Sequence, residues 1–225
     1  IGRAPAGGPE AAARAMATLN RRASELMVEF GAHACTDVTG FGLMGHLAAL
    51  ARASQVDVEI VWDDIPLLPG VLECAAEGIV PGAVERNRES SGQSVAAGDD
   101  VQPVMVDICF DAQTSGGLLI VAPESEAGAL LARLHEEGIS EAACIGKVLG
   151  AGTGRVLVRS EGRRPVPPAR PVRRAPDAVS ARSGPAEACC TNEESVMMSC
   201  CGDSQQSGGG TASDAGGVAE IQQRF

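Results

Sequence analysis

The pattern of apolar and polar positions along this chain predicts short helices and strands up to about residue 158. Apolar residues recur at helical spacing in some segments, and in others they alternate or form short runs typical of strands. We expect helices over residues 10–30, 42–53, 71–77 and 124–137, and strands over residues 32–38, 56–61, 117–122, 142–148 and 155–158. Residues 81–104 are polar and are predicted to form a loop.

These elements favour an α+β fold in which a layered mixed sheet has helices packed on one face. The last two predicted strands are close together and are expected to pair as a hairpin. Near residue 160 the apolar periodicity gives way to Arg, Pro, Gly and Ser. We therefore predict one folded domain over residues 1–160 and a disordered tail over residues 161–225.

Composition narrows the choice of partners. The formal net charge is −11, aromatic residues make up 2% of the chain, and Tyr is absent. Such a chain lacks the basic surface and stacking rings that nucleic acids require, so nucleic acid is excluded as a partner. It has no signal-peptide pattern and no apolar run long enough to cross a bilayer, which predicts a cytoplasmic protein without a membrane partner. Because the first residue is Ile, we expect a piece of a longer polypeptide.

The sequence ACTDVTGFGLMGH, which begins at position 34, combines a carboxylate, two hydroxyls and three glycines. Glycines allow backbone N–H groups to approach an anion, and the N-terminus of a following helix adds a positive dipole. A carboxylate beside such a loop suits Mg²⁺ when phosphates complete the coordination. We predict Asp37 as a metal ligand and Thr36, Thr39, Gly40 and Gly42 as cofactor-binding residues. The alternative is a turn or helix-capping Asp without a ligand.

The same glycines also fit a dinucleotide-binding fingerprint. Gly40, Gly42 and Gly45 have the required spacing, and Glu59 would be the ribose-binding acid after the next strand. The preceding strand is not a buried apolar run, which weakens this Rossmann-type alternative. A third possibility for these glycines is a tight turn with close helix packing.

Four blocks of the chain resemble selenophosphate synthetase (selenide, water dikinase), a family related to aminoimidazole ribonucleotide synthetase. The blocks are CTDVTGFGLMGHL from Cys35, DIPLLPGV from Asp64, VPGAVERN from Val80 and DAQTSGGLL from Asp111. The resemblance covers about residues 10–160 and only the C-terminal half of a family member. It implies an α+β domain of an enzyme that converts ATP, selenide and water into selenophosphate, AMP and phosphate.

The resemblance also implies which parts are missing. The family's reactive Cys or selenocysteine and its catalytic Lys belong to an N-terminal ATP-binding domain, and the one Lys of this chain is Lys147. We therefore assign no catalytic residue here and expect the chain to be inactive without an N-terminal half. By position, Asp37 matches the family's magnesium ligand. ATP and selenide are the implied substrates, and an N-terminal half or a homodimer partner is implied.

The predicted tail carries two vicinal cysteine pairs that the resemblance does not explain. Thiolates prefer soft ions such as Cu(I) and Zn²⁺, so the tail suggests an alternative function as a non-catalytic protein that binds a thiophilic metal, a metalloid or selenium. The other interpretation is incidental thiols in a solvated tail. The candidate residues are Cys189, Cys190, Cys200 and Cys201.

Three further polar features remain open. Residues 113–117 are either a second polar loop facing a nucleotide or a turn into a buried strand. Arg86 is a candidate phosphate contact, and Asn87 can equally close a surface loop. We expect His46 to serve in helix packing or to lie on the surface.

Overall fold

The computed structural model describes residues 4–167 together with residues 218–223, the latter as backbone only. The helices are α1 (Gly8–Ala17), α2 (Arg21–Glu29), α3 (Gly42–Ala53), α4 (Val71–Ala76), α5 (Ala83–Ser91), α6 (Pro103–Cys109) and α7 (Glu124–Glu136). The strands are β1 (Ala34–Asp37), β2 (Val56–Val61), β3 (Val95–Ala97), β4 (Leu118–Pro123), β5 (Ala142–Ala151), β6 (Val156–Arg159) and β7 (Val218–Gln223). None of the described helices is long and apolar enough to span a membrane.

The strands form one mixed sheet, which confirms the predicted α+β class. Seven strands lie in the order β1-β4-β7-β5-β2-β6-β3. Strand β6 runs parallel to both β2 and β3, and the remaining neighbours are antiparallel. Strand β1 lies at one edge of the sheet and β3 lies at the other.

The helices lie on both faces of this sheet, which corrects the prediction that they share one face. On β4, Leu118, Ile120 and Ala122 pack in one core with α2 and α7. The intervening Leu119 packs in the other core with α3. The cause is the topology: α3 and α7 connect parallel strands in the same lateral direction, but β1 and β4 are antiparallel. Right-handed crossovers then place the two helices on opposite faces.

The predicted helix over residues 10–30 is broken into α1 and α2. Thr18 adopts an extended conformation with ψ 124°, which ends α1. The Asn20 side chain donates a hydrogen bond to the Gly116 carbonyl over 3.0 Å. This bond therefore anchors the chain to a distant loop between α1 and α2, where the sequence pattern alone predicts one continuous helix.

Residues 81–104 are not a loop, because they form α5, β3 and the start of α6. Val84 and Asn87 are the buried positions of α5, so its apolar stripe is too narrow to be recognised from periodicity. Helix α6 begins at Pro103, a residue whose fixed φ suits the first turn of a helix, and buries Val104, Met105 and Ile108.

The predicted closing hairpin is also wrong, since β5 and β6 do not pair with each other. They flank β2 on its two sides. Asp57 Oδ1 accepts hydrogen bonds from the backbone N–H groups of Thr153, Gly154 and Arg155 at 2.8–3.1 Å. These bonds hold the turn after β5 against β2 and carry the chain past that strand.

Tertiary contacts continue beyond the predicted boundary at residue 160. The Asp63 carboxylate accepts hydrogen bonds from the Ser160 hydroxyl and from the N–H groups of Glu161 and Arg164 at 2.7–3.0 Å. The Arg164 guanidinium lies 5.5 Å from the centre of the buried Trp62 ring. Most of the predicted tail lies outside the described residues, and residues 218–223 form β7 in the interior of the sheet.

Candidate functional site

The predicted site lies where edge strand β1 ends and two loops meet. We call residues 38–42 the glycine loop and residues 110–117 the second loop. The Val38 N–H donates to the Gly117 carbonyl over 2.9 Å, and the Gln113 N–H donates to the Thr39 carbonyl over 2.9 Å. These bonds join residue pairs that lie more than seventy positions apart in the sequence, one in each loop.

Asn87 on α5 forms hydrogen bonds to both loops and holds them together. Its side chain is 7% exposed, and its amide nitrogen donates to the Gly40 carbonyl over 2.9 Å and to the Phe110 carbonyl over 3.0 Å. A buried amide that satisfies two loop carbonyls fixes their separation. The sequence leaves the role of Asn87 open, because the buried stripe of α5 on which it lies is too narrow to be recognised from periodicity. Arg86, the candidate phosphate contact, is exposed.

Two glycines allow the backbones of the loops to approach each other. Gly42 has φ +68°, and a Cβ atom there would lie 2.7 Å from the Phe110 carbonyl carbon and 2.8 Å from the Asp111 carbonyl oxygen. A Cβ atom at Gly116 would collide with the Val38 carbonyl. These glycines are therefore required by close packing of the two loops, whereas Gly40 is exposed and has open space where its Cβ would be.

His46, on the second turn of α3, reaches back to the glycine loop. The Thr39 N–H donates to His46 Nε2 over 3.0 Å, and the Thr39 hydroxyl lies 3.1 Å from the same nitrogen. Because Nε2 accepts a backbone N–H, the imidazole is neutral in this arrangement. Burial lowers the pKa of His46, and the negative charge of Asp37 acts in the opposite direction. His46 therefore orders the loop rather than only packing the helix.

Asp37 is the last residue of β1 and is exposed. Thr36 is half-buried, and its hydroxyl donates to the Asp37 carbonyl over 3.1 Å. Among the described residues, no group of three or more His, Cys, Asp or Glu side chains is arranged to hold a metal ion. Asp37 is thus a single hard oxygen donor on a rigid corner, and a cation bound there needs further ligands from phosphates, water or another protein part.

The structure does not bring the glycine loop and Glu59 into the arrangement that a dinucleotide-binding site requires. Strand β1 is at the sheet edge and antiparallel to β4, whereas a dinucleotide fingerprint follows a strand of a parallel sheet. Glu59, the candidate ribose acid, is paired with two cations: its Oε1 lies 3.1 Å from Arg159 Nε and 3.6 Å from Lys147 Nζ.

Two thiols of the described domain, those of Cys35 and Cys109, are poor nucleophiles. Burial, with a contribution from Asp37, raises the pKa of Cys35 to about 11. Burial also raises the pKa of Cys109 to about 12. Thiols with such values remain protonated near neutral pH. The predicted thiophilic residues Cys189, Cys190, Cys200 and Cys201 lie outside the described residues.

This geometry defines the class of the protein. It is an α+β domain with a glycine-rich corner at the end of an edge strand. The chain belongs to the AIR synthase related protein family, whose C-terminal domain it matches over residues 2–159.

Within that family the chain is similar to proteins named selenide, water dikinase. It is 43% identical to the protein of Pelobacter propionicus over 145 residues, which cover 64% of this chain and 42% of that relative. It is 44% identical to the protein of a Geobacter species over 143 residues, covering 63% of this chain and 40% of the relative. Identity to the protein of Caldanaerobacter subterraneus is 42% over 137 residues, covering 61% and 40%. The chain thus spans about two fifths of the length of these relatives.

Proposed function

We propose that this chain is the C-terminal half of an ATP-dependent selenophosphate synthetase, which converts ATP, selenide and water into selenophosphate, AMP and phosphate. The observation that carries the proposal is the position of Asp37. Its carboxylate is exposed at the end of β1, directly before a loop fixed by Asn87, His46 and the second loop. We infer the substrates from the similarity to proteins named selenide, water dikinase.

In this proposal Asp37 contributes one ligand to a magnesium ion on the ATP phosphates. The exposed carboxylate fits this role because Mg²⁺ prefers hard oxygen ligands and usually retains water and substrate phosphate in its coordination. The ion would neutralise phosphate charge during phosphoryl transfer. Thr36, Thr39, Gly40 and Gly42 would shape the phosphate-facing surface, with Thr39 and Gly42 acting through the loop conformation that they support.

The rest of the active site would come from an N-terminal ATP-binding half, either as a separate partner or within a homodimer. Lys147 pairs with Glu59, and the thiols of Cys35 and Cys109 have raised pKa values, so none of these groups is suited to the transfer chemistry. Phe41 in the glycine loop is 60% exposed, and its ring makes a tilted contact with His46 at 5.7 Å between ring centroids and an interplanar angle of 54°. We propose that this apolar surface is covered when the missing half docks.

The test is AMP formation from ATP, selenide and Mg²⁺, measured for the chain alone and for the chain mixed with the N-terminal half of a relative. We expect activity only in the mixture. Asp37→Asn should reduce that activity about a hundredfold or more, because a metal ligand is lost. Asp99→Asn is the matched control, since Asp99 is an exposed acid next to β3 at the opposite sheet edge. Full activity of Asp37→Asn would contradict the metal role, and an inactive mixture would contradict the split enzyme.

A further inference from the structure

An interior strand of the sheet, β7, comes from a part of the sequence far from its neighbours. Strands β4 and β5 both pair with β7 and not with each other. Five residue pairs join β7 to β4, from Leu119↔Gln222 to Pro123↔Val218, and six join it to β5, from Ala142↔Gln223 to Val148↔Val218. We call the space between β4 and β5 the strand slot.

The walls of the strand slot are held by contacts that do not involve β7. Strand β4 pairs with β1 on its other side, and β5 pairs with β2. The side chains of residues 118–122 are all buried against helices on both faces. The β4 wall therefore presents its backbone N–H and C=O groups in the protein interior, where such groups must find partners. The β5 wall is partly exposed, with Ala142 and Ile145 buried, and its backbone groups form an open strand edge that is available for pairing.

The strand that fills the slot is distant in sequence from the strands that form it. Residues 218–223 lie beyond the family match at residues 2–159, and fifty residues separate Pro167 from Val218. The cost of closing such a connection grows with its length, so the advantage of a chain's own strand over the same strand from a neighbour shrinks accordingly.

We propose that the strand slot is an acceptor site for an extended peptide strand, and that it takes β7 of a second copy of this chain to form a strand-exchanged dimer. The backbone hydrogen bonds are the same whether β7 comes from its own chain or from the second copy. Protein concentration therefore decides between the two arrangements. This inference does not depend on the reaction proposed above.

The first test uses two full-length variants, Ala143→Cys in an isotopically labelled copy and Gln222→Cys in an unlabelled copy. Residues 143 and 222 are direct partners across β5 and β7, so their Cα atoms fall within disulfide range. After joint refolding and oxidation, mass spectrometry should identify a 143–222 disulfide between labelled and unlabelled chains. Its fraction should rise with protein concentration.

The double variant Ala143→Cys/Gln222→Cys is the reference for pairing within one chain. Ala97→Cys replaces Ala143→Cys as the matched control, because residue 97 lies on β3 at the sheet edge. A disulfide in the double variant but none between the mixed single variants at high concentration would overturn strand exchange. Absence of the bond in both would overturn the assignment of β7 to the slot.

A second test opens the slot in the full chain. Ile221→Pro removes a backbone N–H in a strand that is paired on both sides, which removes a ladder hydrogen bond. We expect this variant to lose the concentration-dependent dimer in size-exclusion chromatography and to bind a synthetic peptide of residues 215–225. The same peptide carrying Pro at position 221 should not bind. A dimer unchanged by Ile221→Pro, or equal binding of both peptides, would overturn the proposal.

Discussion

Three residues determine the shape of the candidate corner, and only one of them, Gly42, belongs to the predicted cofactor-binding set. Gly42 lets the backbones of two loops touch, Asn87 bonds to a carbonyl of each loop, and His46 accepts the Thr39 N–H. Their roles can be tested separately, because Gly42 acts through its backbone conformation, Asn87 through buried hydrogen bonds, and His46 through a hydrogen bond that requires a neutral imidazole.

Replacing Gly42 by Ala should destabilise the domain by about 2–5 kcal/mol. The estimate combines the cost of a left-handed conformation in a residue with a Cβ atom with the cost of overpacking against residues 110 and 111. Gly40→Ala is the matched control, expected to change stability by about 0.5 kcal/mol or less because it meets no neighbour. Urea unfolding of both variants measures the difference, and equal effects would refute the packing argument.

Asn87→Ala should cost about 1–3 kcal/mol of unfolding free energy, since the carbonyls of Gly40 and Phe110 lose their donor. Arg86→Ala, one position earlier on the exposed side of the same helix, should change stability by about 0.5 kcal/mol or less. Denaturant midpoints under identical conditions compare the two variants. If the order were reversed, Asn87 would not hold the loops together.

The contribution of His46 to stability should depend on pH. Its pKa is lower in the folded state than the ordinary value of 6.5, so the unfolded state binds the proton more readily. The contribution is complete above that ordinary value and is lost as pH falls from 6.5 towards the lowered pKa. His46→Gln keeps a hydrogen-bond acceptor but does not titrate. The stability difference between the parent chain and this variant should therefore shrink on acidification, as measured by urea midpoints across pH, and a constant difference would contradict the role.

At the scale of elements, the Asp63 carboxylate holds the segment after β6 through several hydrogen bonds. Two backbone N–H groups and a hydroxyl donate to Asp63. Burial acts to raise the pKa of Asp63, and these hydrogen bonds outweigh it, so the pKa lies below its ordinary value. The carboxylate is therefore ionised near neutral pH and holds residues 160–164 beside the buried Trp62.

Asp63→Ala should release this segment and accelerate tryptic cleavage after Arg163 by about 10- to 100-fold, because the hydrogen bonds that restrain its backbone are lost. Asp64→Ala removes only the surface ion pair with Arg163 and should change the rate by about twofold or less. Limited proteolysis followed by mass spectrometry measures both rates. Equal acceleration in the two variants would assign the restraint to surface charge instead.

Elements were predictable where periodicity and local end signals agreed. Strand β2 follows from the alternation of Val56, Val58 and Ile60 with acidic residues, and α7 follows from its apolar stripe before Gly138. Helix α5 was missed because its buried stripe consists of one apolar residue and one amide, Val84 and Asn87. The break between α1 and α2 depends on Asn20 bonding to Gly116, a contact that no local pattern encodes.

At the scale of the whole molecule, the α+β class was predictable from the interleaved elements, but the pairing of strands was not. The turn that takes β6 past β2 depends on Asp57, which lies almost a hundred residues before its partners Thr153 and Gly154. For the candidate site, the sequence identified the loop chemistry around Asp37 and Thr39. It did not reveal the role of Asn87 in bonding to both loops, because that role depends on tertiary contacts between α5 and two distant loops.

The position of β7 also has a consequence for how the protein is made. A ribosome delivers residues in chain order, so β1 to β6 emerge well before residues 218–223. Until those residues have emerged, β4 and β5 have unpaired edges in the middle of the nascent sheet, which are prone to pair with neighbouring chains. Slow translation of the intervening stretch would prolong that exposure, and chaperones acting during synthesis would find their binding surface at the centre of the sheet.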